Sequence, residues 1–141
     1  ILMSITFHFL HPVQLLKRKK IKVLVQRLFS NEKKLLNNLD IIFCADEYLL
    51  DMNQKYLSHD YYTDIITFDL GDGDSVAGEI YISAETAKSN SQFYNVLLFN
   101  ELVRLIIHGS LHLVGYGDKN KKDKVIMSAK ENEYLSLFET L

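Results

Sequence analysis

The chain has 141 residues, 48% hydrophobic and 24% charged, with six glycines and one proline, the composition of an ordered globular protein rather than a disordered, collagen-like or linker-rich one. Its formal net charge of -2 gives no global attraction to nucleic acid, so any such binding rests on local patches. No apolar stretch reaches the roughly 18 residues of a membrane span, the densest, from Val96 to Ile107, being broken by Asn100, Glu101 and Arg104; a soluble, cytoplasmic protein with no membrane partner is expected.

The first residues lack the charged start, apolar core and cleavage site of a secretory signal. Met3 is the expected natural start, with Ile1 and Leu2 a cloning remnant. Ile5, Phe7 and Phe9 alternate with Thr6 and His8, predicting a strand, and Pro12 opens a helix running to about Leu28 that carries the basic run Lys17-Arg18-Lys19-Lys20. Ile41 to Ala45 reads as a buried strand holding the lone Cys44, a partnerless buried thiol suited to a reducing compartment. Asp46 and Glu47 begin a helix through Tyr56. Strands follow at Ile65 to Phe68 and Gly78 to Ser83, joined across Gly71-Asp72-Gly73-Asp74 as a hairpin. Ser83 caps a helix to about Tyr94, Val96 to Leu113 forms a far more apolar helix, and a lysine-rich loop at Lys119 to Lys124 precedes a final helix from Val125 to Leu137. The expectation is an α+β fold over residues 3–141 as one domain: a small mixed sheet of about four strands covered by helices, with the apolar helix central.

That helix carries the chemistry. His108 and His112 are four residues apart, on one face and one turn from each other, so both imidazoles can reach a single metal ion. Gly115 can end the helix in a backbone conformation costly to other residues, turning the chain so that Asp118 returns as a third ligand. Two histidines and one carboxylate leave room for water, as catalytic zinc sites require, and suit other divalent ions as well. Asn100, Arg104, His108 and His112 continue the four-residue spacing as a polar stripe on an otherwise apolar helix, and such a stripe needs partners if buried.

The segment His108-Gly109-Ser110-Leu111-His112-Leu113-Val114-Gly115-Tyr116-Gly117-Asp118 resembles the signature of the YbeY family, metal-dependent endoribonucleases of rRNA maturation. Glu101 fits that signature's acidic lead-in. Asn53, Tyr56, Asp60, Thr63, Asp64 and Phe68 resemble a second family segment, and Gly78-Glu79-Ile80-Tyr81-Ile82-Ser83 its Gly-Asp-Ile-x-Ile-Ser strand. Two departures stand out: the family's third histidine is Asp118 here, and its arginine after the tyrosine is Leu57. Arg104, Lys55 and His59 are the candidates to supply the missing cation. The resemblance implies a single-strand endoribonuclease acting in rRNA maturation, at the 3′ end of 16S rRNA, and in ribosome quality control. It also implies one divalent ion, Zn2+ by expectation, on His108, His112 and Asp118, with His108, His112, Arg104 and Glu101 as the catalytic set, Asp64 a further acid–base candidate, and an rRNA precursor and the small ribosomal subunit as partners.

Two other readings compete. A metzincin-like metallopeptidase shares the ligand spacing, but the position after the first histidine, where such enzymes place a glutamate base, is Gly109. A ribosome-associated metal-binding module with little activity is the other; a structural zinc would want a fourth protein ligand, and no cysteine lies near the motif.

Overall fold

The chain's computed structural model describes residues 3–59 and 61–141; the readings of Ile1, Leu2 and Asp60 lie outside the described residues. The elements run β1 (Ser4–Phe9), α1 (Arg18–Asn31), β2 (Leu36–Cys44), α2 (Asp46–Leu57), β3 (Ile65–Asp69), β4 (Val76–Ser83), α3 (Ala84–Phe93), α4 (Leu98–Leu113) and α5 (Lys121–Thr140). The described strands form one mixed sheet in the order β1-β2-β4-β3, with β1–β2 and β2–β4 parallel and the β3–β4 hairpin antiparallel. This is the expected α+β architecture.

Side-chain alternation divides the sheet into two unequal faces. Ile5, Leu39, Ile41, Phe43, Ile80 and Ile82 point into the main core, which α1, α3, α4 and α5 complete. On the opposite face, Cys44 and Ile66 pack under Leu49 and Met52 of α2. β2, an inner strand covered on both faces, reads as the unbroken run Ile41-Ile42-Phe43-Cys44 for that reason. Cys44 is free and buried, its thiol donating to the Ile82 carbonyl at 3.6 Å, and burial, aided by the Asp46 charge, pushes its pKa up to about 12.

Helix α4 is the central one. Leu102, Val103, Leu105, Ile106, Ile107 and Leu111 are all buried, so nearly its whole circumference is core. It lies against the sheet at Gly109, where an added Cβ would stand 2.9 Å from both Cγ2 and Cδ1 of Ile80 and 3.1 Å from Cδ1 of Ile65. Gly109→Ala is therefore expected to destabilise the fold by about 1 to 3 kcal/mol, the usual cost of overpacking, despite alanine's better helix propensity. A lowered urea midpoint at unchanged m-value checks this; an unchanged midpoint would mean that the contact is not tight.

The three boundaries that differ most from the sequence expectation do so through interactions that sequence periodicity does not contain. Helix α1 starts at Arg18, not near Pro12: Leu10 and His11 donate their N–H groups to the Phe43 carbonyl, Leu15 is drawn into the core, and Lys17 adopts a left-handed φ of 55°. Strand β2 begins at Leu36, because pairing with β1 and β4 outweighs the weak strand preference of Asn37, Asn38 and Asp40. Helix α5 begins at Lys121, where the Asn120 side chain accepts from the Asp123 N–H at 2.8 Å, so most of the expected lysine loop is the helix's first turn.

Candidate metal centre

The turn that ends α4 builds the site. Gly115 has a φ of 112°; its N–H donates to the His112 carbonyl at 3.1 Å, and the Tyr116 N–H donates to the Leu111 carbonyl at 3.0 Å. That paired arrangement satisfies the last carbonyls of the helix and reverses the chain, with the left-handed residue being the glycine that tolerates it. Asp118 is thereby carried back over the edge of α4 where His108 and His112 project.

The three side chains converge. His108 Nε2 and His112 Nε2 are 3.0 Å apart, and each is 3.3 Å from Asp118 Oδ2. The far nitrogens fix the tautomers: His112 Nδ1 faces the Tyr116 carbonyl at 2.9 Å and His108 Nδ1 faces Glu131 Oε2 at 2.6 Å, so both Nδ1 atoms act as donors. In neutral rings the two Nε2 atoms are then lone pairs, directed with a carboxylate oxygen at one point and with no donor among them. Tetrahedral ligands about 2.0 to 2.1 Å from a zinc-like ion stand about 3.3 to 3.4 Å from one another, so the observed separations fit a bound divalent ion. His108, His112 and Asp118 form a group able to hold a metal.

Behind this edge lies a chain of charges. Glu131 accepts from His108 with one oxygen and from Arg104 Nη1 with the other at 3.1 Å. Arg104 in turn makes a bidentate pair with Glu101, at 2.9 and 2.8 Å. The Asn90 amide nitrogen lies 3.3 Å from Glu101 and 3.2 Å from Asp64. Burial alone would raise the Glu131 carboxyl, but the His108 hydrogen bond and the Arg104 charge outweigh it and hold it below the usual range. Burial opposes a charged His108, and its bond to Glu131, with the Asp118 charge, overcomes this and raises its pKa. Burial raises Asp64, with Arg104 and His108 working against it. Among the described residues no buried side-chain polar atom lacks a hydrogen-bond partner, so the polar stripe meets its need within the protein.

A second carboxylate supports the turn. Glu32, at the end of α1, accepts from the hydroxyls of Tyr116 at 2.6 Å and Tyr134 at 2.5 Å and from Lys130 at 3.3 Å. Tyr116, whose carbonyl orients His112, is thus tied to α1 and α5.

The ligands border a cleft of about 280 Å³ that Leu57, His59, Tyr61 and Asp64 also line. Glu101 and Arg104 do not border it: Glu101 is 2% exposed, and both act on His108 from behind, through Glu131. Asn100 is exposed and lines a different cavity, with Glu101 and Arg104. Of the three side chains considered as the missing cation, Arg104 is committed to Glu101 and Glu131, Lys55 pairs with Asp51 at 3.1 Å outside the cleft, and His59 alone lines it. Glu131 and Glu32 are absent from the sequence reading. The available signal for Glu131 was its place on the buried α5 stripe Met127, Glu131, Tyr134, Phe138. Position 109 faces the sheet, away from the ligands, so no general base of the metallopeptidase kind has a place there.

Comparison with known proteins gives concordant results. The profile of the family described as Endoribonuclease YbeY matches residues 11–139. The "Endoribonuclease YbeY" of Cytophaga hutchinsonii is 46% identical over 125 residues, 88% of this chain and 87% of that protein. That of Karelsulcia muelleri is 48% identical over 106 residues, 75% of each. The solution structure of TM1509 from Thermotoga maritima superposes with a TM-score of 0.61 at 26% identity, covering 97% of this chain and 89% of that one.

Proposed function

The chain belongs to the YbeY endoribonuclease family, and from that premise we propose that it is a zinc-dependent, single-strand endoribonuclease of rRNA maturation, trimming the 3′ end of 16S rRNA and taking part in ribosome quality control. The observation that carries the metal-dependent part is the convergence of two imidazole lone pairs and one carboxylate oxygen at metal-ligand separations. An imidazole and carboxylate set with a free coordination position suits Zn2+. Held by His108, His112 and Asp118, such an ion would supply Lewis acidity toward a phosphate oxygen and activate water as a nucleophile.

The protein's own groups do the rest. Glu131 and the Tyr116 carbonyl hold the two imidazoles in the Nε2-ligating tautomer, as carboxylates and carbonyls do behind metal-bound histidines. Arg104 and Glu101 fix Glu131 and contribute to the reaction only through it. Asp64, on the cleft wall with its carboxyl raised by burial, is the side chain placed to move a proton at the reacting phosphate. The partners in this reading are an rRNA precursor and the small ribosomal subunit, and the compartment is the cytoplasm, a setting consistent with the free thiol of Cys44.

End-mapping of a labelled 16S rRNA precursor fragment incubated with zinc-loaded protein tests the substrate. Cuts are expected in single-stranded sequence near the 3′ end, and annealing a complementary oligonucleotide across them should suppress cleavage at least about tenfold, since a paired strand must first be opened. Equal cutting of paired and unpaired RNA would contradict the single-strand assignment.

A further inference from the structure

On the wall of the metal cleft, His59 and Tyr61 are both held by the buried Asn53. Asn53, 2% exposed in α2, accepts the His59 N–H on its backbone carbonyl at 3.0 Å and donates its side-chain N–H to the Tyr61 carbonyl at 2.9 Å. Between them, Ser58 takes a left-handed φ of 56° at the helix end, turning the chain back toward the cleft. Ser58 is a non-glycine residue in that region, where the conformation costs on the order of 1 kcal/mol unless the surroundings hold it. These two hydrogen bonds tie His59 and Tyr61 to α2, and both side chains line the cleft.

These two rings stack, with centroids 5.1 Å apart and planes 21° from parallel, and the Tyr61 hydroxyl lies 3.0 Å from His59 Nδ1. One imidazole nitrogen is therefore occupied. The other, Nε2, has no hydrogen-bond partner among the described residues, on a side chain that is exposed and lines the cleft with His108, His112 and Asp118.

The electrostatics of the cleft give that nitrogen a task. An RNA phosphate entering here meets the carboxylates of Asp64 and Asp118, and no lysine or arginine lines the wall. Arg104 is held behind the ligands by two glutamates, and Lys55 by Asp51. Among the described cleft residues other than the metal ligands, His59 is the only side chain able to bear positive charge. We propose that His59 is the phosphate-contacting residue of this site, its Nε2–H donating to a non-bridging oxygen of the RNA strand while the Tyr61 hydroxyl holds its other nitrogen.

The assignment rests on the endoribonuclease reading, and its test separates the two. Initial rates of zinc-loaded wild type, His59→Ala and His59→Lys on labelled single-stranded RNA give kcat and KM. Fluorescence anisotropy with a single-stranded DNA of the same sequence, over about 50 to 200 mM salt, gives binding free of RNA cleavage. His59→Ala is expected to raise KM about tenfold, as loss of a hydrogen bond to a charged group does, with kcat changed less than about twofold because the contact is made equally in ground and transition states. His59→Lys should restore KM and steepen the slope of log affinity against log salt by about 0.7, the increment for one further phosphate contact on a single strand. Unchanged KM in His59→Ala together with an unchanged slope in His59→Lys, in a preparation whose wild type cleaves RNA, overturns the assignment and leaves the function standing. A wild type that neither cleaves nor binds overturns both.

Discussion

Replacing His112 with alanine is expected to reduce bound metal from about one ion per chain to a small fraction and to lower RNA cleavage by at least about 10³-fold. The first effect follows from the ligand count: two protein ligands remain of three, and His108 and Asp118 alone do not enclose an ion. The second follows from the several kcal/mol of transition-state charge stabilisation that a metal ion contributes to phosphoryl chemistry. The fold should survive, because the His112 side chain is 24% exposed at the rim of the cleft and its truncation leaves no enclosed cavity. Elemental analysis, a cleavage time course and far-UV circular dichroism on one preparation check the three statements. A variant that keeps its metal would show that the ion sits elsewhere.

The second large effect is expected at Glu131, which does not line the cleft. Glu131→Ala removes the acceptor that orients His108 and one of the two carboxylates that pair with Arg104. Metal affinity should fall about 10- to 100-fold, the usual consequence of deleting the group behind a ligating histidine. Stability should also fall, by about 1 to 3 kcal/mol; Arg104 keeps Glu101 and is 31% exposed, which limits the cost of losing its second partner. Glu131→Gln preserves shape and one acceptor, so it should recover most of the stability and only part of the metal affinity. Competition with a chromophoric chelator measures the affinity and urea unfolding of the metal-free protein the stability. Wild-type metal affinity in Glu131→Ala would mean that the packing of α4 alone orients His108.

What the sequence discloses of this site is its local part. His108, His112, the Gly115 turn and Asp118 fall within eleven consecutive residues, and helical spacing with a left-handed glycine is enough to bring them together. The carboxylates that hold them are not local: Glu131 is 23 residues beyond His108, and Glu32 is 84 residues before Tyr116. No periodicity in α4 or α1 indicates those pairings. A glutamate on the buried stripe of α5 was a visible anomaly, yet its partner depended on how α5 crosses α4. The same division applies to the fold. Helices and strands with strong patterns were legible in type and order, whereas β2 extends into Asn37, Asn38 and Asp40 because strands on both sides pair with it, and α1 is shortened because Leu15 has a place in the core. Glu101 and Arg104 looked like cleft residues on the helical stripe; their side chains instead turn toward each other and Glu131, where the buried charges compensate.

Stripping and reloading the wild-type protein shows whether cleavage depends on an ion held by His108, His112 and Asp118. The protein is treated with a chelator until bound metal is negligible, assayed on labelled single-stranded RNA, and titrated back with Zn2+ while cleavage and protein-bound metal are followed together. The three-ligand centre predicts that cleavage disappears with the ion and returns in proportion to occupancy, saturating near one equivalent per chain. Cleavage that continues at the full rate in the stripped protein would contradict it.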